Sequence, residues 1–372
     1  MGLPVEWLVN HVGGSVVQAV DVEEDRAMML EAISAAATVR SQTAPNPWVG
    51  CVIVPSGDEP AALGATQPPG GLHAEAMALD LAGPTAAGAV AYVTLEPCCH
   101  HGRTPPCADA LIAAGVRRVV IGVVDPDPQV RGQGIEHLRA AGIEVSVGVC
   151  AEEISEQLAP YLKQRSTGRP WVVLKLAASL DGRTAAPDGT SQWITGPLAR
   201  ADAHRLRAES DAVLVGAGTV RADDPALTVR DSEGRDPLRV VLGHIPDGAR
   251  VQPALELGGD LGQVLDELGQ RDVVQLLVEG GATVAHDFHR AGLVDRYVLY
   301  LAPVLFGGDD GRAVFAGSGA ASMADVWRGR MVSVEQLGPD VRIELAPTGA
   351  GGAQTPGSSL TTGSARSGLA AA

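Results

Sequence analysis

Apolar residues recur at helical spacing in EDRAMMLEAISAAATVR (24–40) and then run almost unbroken through WVGCVIV (48–54), which predicts a helix followed by a buried strand. The turn-forming PSGDEP and the short apolar run AALGAT then complete an opening hairpin. Beyond the hairpin the pattern alternates. A helix from HAEAMALDLAG leads to the strand AVAYVTLE, a helix from CADALIAAG to the strand RRVVIGVVD, and the helix GIEHLRAAG to the strand IEVSVGV. Such alternation predicts an α/β unit, a sheet with helices packed on its faces.

One polar helix, AEEISEQLAPYLKQRSTG (151–168), is expected to connect this unit to a second one that begins near WVVLKLAAS. We place the boundary near Thr167, giving units over 21–167 and 168–347. The second reads as a strand, the helix PLARADAHRLRAESD, the strands AVLVGAG and LRVVLG, the helix LGQVLDELGQ, the strand VVQLLVEGG, the helix ATVAHDFHRAG and long strands toward the C-terminus. GPD between SVEQL and VRIEL predicts a hairpin turn. Residues 1–20 read as an N-terminal extension without a signal-peptide pattern. Residues 348–372, rich in Gly, Ser and Thr, lack a core-forming pattern and are expected to be disordered.

A chain of 372 residues can bury two cores, so two activities are possible. Its net charge of -16 argues against broad contact with nucleic acid, which depends on Lys and Arg, but a small anionic substrate needs only a local basic pocket. No run approaches the length of a membrane span. Five cysteines, an odd number in no disulfide-rich pattern, suit a reducing cytoplasm.

Two of those cysteines carry the chemistry. His73-Ala74-Glu75, followed by Cys98 and Cys107 in TLEPCCHHGRTPPC, is close to the zinc-deaminase pattern H-x-E then P-C-x-x-C. Catalytic zinc prefers three His or Cys ligands and a water, and His73, Cys98 and Cys107 fit that count. Cys98 follows a strand end. Cys107 and His73 each open a helix, whose dipole favours a thiolate or an anion nearby. Glu75 lies about 200° around an ideal helix from His73, so it is expected to stay off the metal and act as a proton carrier. Cys99 is left out of the ligand set, Cys51 reads as core, and Cys150 has no partner pattern. A structural zinc closed by Cys99, His100 or His101, in a noncatalytic binding protein, is one alternative. A nucleoside or tRNA-base deaminase with a non-reductase C-terminal unit is the other.

Eight residues separate Cys98 from Cys107, against two in nucleoside and tRNA deaminases. With PNPWVGCVIV, HAEAMAL, AYVTLEPCCHHGRTPPCADALIAAGV and DPDPQVRGQG, this spacing resembles the bifunctional deaminase/reductase family of riboflavin biosynthesis. The resemblance implies a cytidine-deaminase-like three-layer domain with a mixed sheet, followed by a dihydrofolate-reductase-like α/β domain. It implies hydrolytic loss of the 2-amino group from 2,5-diamino-6-(5-phospho-ribosylamino)pyrimidin-4(3H)-one. An NADPH-dependent reduction of the ribosyl chain then gives 5-amino-6-(5-phospho-ribitylamino)uracil. Asn46 corresponds to a base-contacting asparagine, and Arg103 is a candidate for the substrate phosphate.

KLAASLDGRTA, SQWITG, LRAESDAVLVGAGTVRADDPALTVR and LVEGGATVA, in that order, resemble the reductase half of the same family. By position, Ala177, Trp193, Thr219, Asp223, Gly281, Ala282, Thr283, Val284, Ala285 and His286 match cofactor-contacting residues. Ser191, Arg207, Leu227, Arg230 and Glu279 match substrate-contacting ones. The glycine pair before ATVAHDF would bring backbone N–H groups and a helix N-terminus to a phosphate. Without the resemblance, Arg207 and Arg230 read as surface partners of acids such as Glu209 and Asp231. Lys175 and Asp223 are candidates for polarising or protonating the substrate. Three departures from the family would weaken the reductase: Gly243-His244 in place of an Asp-Ser pair, a stretch from Val251 to Leu261 that reads as one strand short, and the bulk of His286 and Asp287. The partner expected is a small phosphorylated pyrimidine, with no nucleic acid or membrane. A homo-oligomer is expected, with its assembly face open.

Overall fold

The computed structural model describes residues 19–100, 105–230, 232 and 234–348. Arg103, most of the expected N-terminal extension and the tail after Thr348 therefore lie outside the described residues. The first unit contains helix α1 (Ala19–Ala37), the hairpin β1 (Gly50–Val54) and β2 (Ala62–Ala65), and α2 (Ala74–Ala82). It continues with β3 (Val90–Leu95), α3 (Cys107–Ala114), β4 (Arg118–Val123), α4 (Gln133–Ala140) and β5 (Glu144–Val147). The sheet order is β2-β1-β3-β4-β5. β1 is antiparallel to β2 and β3, while β3, β4 and β5 run parallel. Central β3 is buried at every position, as its unbroken apolar run requires.

Two glycines set the helices directly on this sheet. A Cβ at Gly50 would lie 1.9 Å from the Ala32 carbonyl oxygen of α1, and one at Gly64 would lie 2.1 Å from that of Ala74 in α2. Only a residue without a side chain permits so close a backbone approach. The second contact fixes the start of α2, next to His73.

The connector differs from the single helix expected. It is two helices, α5 (Ala151–Gln157) and α6 (Ala159–Thr167), because Pro160 lacks the N–H that would continue the ladder of α5.

The second unit holds β6 (Trp171–Ser179), β7 (Arg183–Ala185), α7 (Pro197–Ala208), β8 (Ala212–Gly216), α8 (Ala217–Asp223), β9 (Leu238–Leu242) and β10 (Leu255–Leu257). Then come α9 (Leu261–Gln270), β11 (Gln275–Val278), α10 (Ala282–Arg290), β12 (Arg296–Ala302), β13 (Arg312–Ala313), β14 (Gly329–Leu337) and β15 (Asp340–Pro347). Eight strands form one sheet in the order β10-β9-β8-β11-β6-β12-β15-β14, parallel from β10 to β12. β15 and β14 close it as an antiparallel hairpin through Gly338 and Pro339. Both units are thus α/β, as the patterning predicts, and the sheet of each is mixed. Two local expectations are corrected. The stretch after Val251 does contain a strand, since β10 pairs with β9 from Leu255 to Leu257. AVLVGAG also turns into a short helix, α8, which the glycine-rich sequence concealed. Among the described residues, no helix is long and apolar enough to cross a membrane.

Candidate active sites

In the first unit, the antiparallel β1 puts the Asn46 loop at the end of the sheet where β3 delivers Cys98. At that end the Gly50 N–H donates to Thr94 Oγ1 over 3.1 Å. The hairpin returns β2 to the same end, and the chain then enters α2 through His73. The three predicted ligands meet there, their ligand atoms all within 4.8 Å of one another. His73 Nδ1 is 3.6 Å from Cys98 Sγ and 3.3 Å from Cys107 Sγ. A tetrahedral zinc at its usual bond lengths requires N···S edges of about 3.5 Å, so the donor set fits the metal in both chemistry and size. No fourth ligand joins this group among the described residues. Cys99 Sγ instead faces the Gln129 carbonyl at 3.8 Å, and His101 lies outside the described residues.

The electrostatics are those of a cation site. The Cys98 sulfur is held well below the usual thiol range, first by a hydrogen bond from the Cys107 thiol and also by His73 and the Cys107 N–H. Cys107 moves upward as the other half of that pair, and burial pushes it further. Of these two adjoining sulfurs Cys107 is buried and Cys98 half-buried, and a divalent cation would displace their protons on binding.

Glu75 is buried at 4% exposure. Burial raises its carboxyl to about 7, with the Cys98 thiolate adding to the rise. It sits beside Cys107 without joining the ligand cluster. The helical-wheel reason given for this needs correction. His73 is the N-cap, with extended backbone at φ -74 and ψ 163, so ideal-helix angles do not relate it to Glu75. The two side chains nonetheless lie close together, His73 within the cluster and Glu75 beside Cys107.

Sequence reasoning missed Glu96. Its buried carboxylate accepts from the N–H groups of Asp125 (3.2 Å), Gly132 (2.9 Å), Gly134 (3.0 Å) and Ile135 (3.3 Å). It thereby ties the DPDPQVRGQG loop and the start of α4 to the strand end that carries Cys98. A glutamate closing the apolar run AVAYVTLE was the available signal.

In the second unit, α7, β6 and β11 bring together Arg207, Lys175 and Glu279. Arg207 makes a two-pronged contact with Glu279, Nε–Oε1 at 2.5 Å and Nη2–Oε2 at 3.0 Å, and Lys175 Nζ lies 3.7 Å from the same carboxylate. Burial alone would raise Glu279, but the two cations outweigh it and hold the group at about 2. Arg207 is therefore a half-buried partner of Glu279 rather than a surface partner of Glu209, while Asp231 lies outside the described residues. Two cations and one carboxylate leave one positive charge for an anionic ligand. Arg207 Nη1 also donates to the Thr228 carbonyl over 3.3 Å, beside buried Leu227, whose φ is +52. Arg230 is exposed and Ser191 half-buried, and neither joins this cluster.

The glycine pair forms the expected strand-to-helix turn. The Gly281 N–H donates to Thr219 Oγ1 over 3.2 Å, so α8 and α10 meet where both were expected to face the cofactor. Asp223, at the end of α8, is exposed. Ala177 lies in β6, and Trp193 is 69% exposed with Arg200 stacked on its ring. Of the predicted segment, Gly281 and Thr283 are exposed, whereas Ala282 and Ala285 are buried and Val284 packs on the core. His286 turns aside. Its Nε2 lies 3.2 Å from the Ser318 carbonyl oxygen, so its bulk fills space against Gly317 and Ser318. His244 lies beside Glu256 at 3.4 Å.

Comparison with known proteins gives concordant matches for both halves. Residues 22–123 match the cytidine and deoxycytidylate deaminase zinc-binding region, and residues 170–343 match the RibD C-terminal domain. Riboflavin biosynthesis protein RibD of Escherichia coli K12 is 42% identical over 365 residues, spanning 87% of this chain and 99% of that protein. The Mycobacterium tuberculosis RibD is 44% identical over 338 residues, covering 86% and 96%. Among solved structures, Acinetobacter baumannii RibD superimposes with a TM-score of 0.83 at 41% identity, over 88% of this chain and 100% of that one. A diaminohydroxyphosphoribosylaminopyrimidine deaminase/5-amino-6-(5-phosphoribosylamino)uracil reductase from Thermotoga maritima gives 0.79 at 35% identity, over 88% and 100%.

Proposed function

The chain belongs to the RibD family of bifunctional riboflavin-biosynthesis enzymes, and from that premise we propose a residue-level reading of its two activities. It is a zinc-dependent deaminase joined to an NADPH-dependent reductase. The first activity occupies residues 21–167 and the second 168–347. The observation that carries the reading is the convergence of His73, Cys98 and Cys107 around a space sized for zinc, with Glu75 buried beside them.

His73, Cys98 and Cys107 hold the metal, which when bound supplies a water of lowered pKa, about 7. Glu75 takes one proton from the attacking water and passes it to a ring nitrogen, then takes the remaining hydroxyl proton of the adduct and delivers it to the amino group, which departs as ammonia. A carboxyl raised to about 7 can both take and release protons at neutral pH. Asn46 orients the diaminopyrimidinone ring.

In the reductase half, the N-terminus of α10 at Gly281–Thr283, with Thr219, receives the cofactor phosphates. Ala177, Trp193 and Asp223 would also contact the cofactor. Arg207, Glu279, Lys175, Leu227, Ser191 and Arg230 would hold the phosphoribosylamino chain, to whose C1, in the open imine form, a bound nicotinamide cofactor would supply the hydride. A small phosphorylated pyrimidine is thus the partner. The free state of all five cysteines supports a cytoplasmic setting. Exposed Met331 and Val334 on edge strand β14 support a homo-oligomer.

The test supplies the diaminopyrimidinone phosphate to zinc-loaded protein with cytidine and tRNA adenosine in parallel. Ammonia from the first alone supports the reading. Release from the others, with none from the first, would move the chain to the nucleoside-deaminase alternative.

A further inference from the structure

An unbroken row of polar and ionic side chains leaves the deaminase half at one point, crosses a face of the reductase half and returns at another. It starts at Arg40, after α1. Arg40 Nη2 donates to Gln275 Oε1 over 2.8 Å, and Arg40 Nε lies 3.6 Å from Glu209. Glu209 pairs with Arg205 at 2.5 Å, Arg205 with Asp202 at 2.7 Å, and Asp202 with Arg342 at 2.9 Å. Arg342 pairs with Glu344, Glu344 with Arg296 at 2.6 Å, and Arg296 with Glu156 of the deaminase half. Val274, just before β11, packs into the deaminase core at the same seam. A seam of paired charges holds one registry, because any slip strands a charge without its partner.

Arg40 occupies the informative end of this row. Its guanidinium stacks over Trp48, 5.0 Å from the ring centre, and Trp48 is 4% exposed and two residues after Asn46. On the other side it reaches two elements of the reductase site. α7 carries Arg207 just before Glu209, and β11 begins with Gln275 and runs into Glu279. Gln275 completes the joint by donating from Nε2 to Ser210 Oγ over 3.1 Å and to the Glu209 carbonyl over 3.3 Å. The elements that form the Arg207–Glu279 pair are thus the ones that Arg40 grips.

We propose that Arg40 is a positioning residue for deamination: anchored on α7 and β11 of the reductase half, it holds the Trp48–Asn46 loop in the shape that receives the substrate ring. This rests on the assignment of Asn46 to the ring. It also makes the reductase half part of the deaminase's binding site, although among the described residues the candidate ligand cluster contains none of its side chains.

The test measures ammonia release by intact, zinc-loaded protein. Arg40→Met should raise KM about tenfold while kcat stays within about twofold, since ring placement is lost and the proton carrier is not. Arg40→Lys should recover part of that loss. The distinguishing variants lie in the other half. Gln275→Met should raise the deaminase KM and add nothing when combined with Arg40→Met, as expected for partners in one contact. Glu209→Gln should act in the same direction and carries the test if Gln275→Met does not fold. Unchanged KM in the reductase-half variants, or full additivity with Arg40→Met, would overturn the proposal. Asn46→Ala separates the two layers of the argument. If it leaves KM unchanged, the Asn46 assignment falls and the proposal with it. If it raises KM while Gln275→Met and Glu209→Gln do not, only the role of Arg40 falls.

Discussion

Replacing Glu96 by Gln should loosen the metal site without touching a ligand. All four partners of the carboxylate are backbone N–H donors, at 2.9 to 3.3 Å, so the ionised form needs no proton and satisfies each. Gln keeps the volume and one oxygen, but it turns an NH2 group toward two of those donors. Hydrogen bonds to a charged group are worth about 1.5–3 kcal/mol each, so losing two gives about 3–6 kcal/mol. Relief from burying a carboxylate offsets part of this. A net loss of about 3 kcal/mol results, large for one substitution. Because Cys98 follows Glu96 by two residues, the freed loop should also weaken zinc retention. Urea denaturation with a chelator-competition titration measures both. A loss below about 1 kcal/mol with unchanged zinc affinity would refute the clamp.

Three further outcomes follow. Glu75→Gln should retain zinc and the reduction of deaminated substrate, yet lose about 10²-fold or more of ammonia release, as read by metal analysis and a coupled ammonia assay. Gly64→Ala places a Cβ about where the Ala74 carbonyl oxygen stands, 2.1 Å away, so α2 must shift with His73; lowered zinc affinity in the same chelator titration checks it. Glu279, depressed to about 2, contributes stability that is complete above its unfolded value of about 4.3 and lost as pH falls from there toward 2. Glu279→Gln should be less stable at pH 7 but flatter through that acid window in calorimetry. An acid limb as steep as that of the parent would contradict the pairing.

The candidate metal cluster was legible because His73, Cys98 and Cys107 lie within a short stretch whose spacing and flanking elements are themselves a signature. Strands and helices followed from apolar periodicity wherever the runs were long. Failures came where the deciding partner is distant or local chemistry is subtle. Arg207 finds Glu279 72 residues away, a pairing that no local pattern encodes. Arg40 meets Gln275 across the two halves in the same way. α8 hid behind the glycines of VGAGTV, and Pro160 split a helix whose polarity was otherwise continuous. The argument that set Glu75 apart from the ligands used the wrong geometry, since an N-cap residue does not share the helix's rotation.

The most direct measurement follows ammonia and NADPH separately after zinc-loaded protein receives 2,5-diamino-6-(5-phospho-ribosylamino)pyrimidin-4(3H)-one. The account predicts that ammonia appears first, that one NADPH is consumed for each ammonia released, and that Glu75→Gln abolishes both signals from this substrate. NADPH consumption with no ammonia, or undiminished ammonia release by the Glu75 variant, would contradict it.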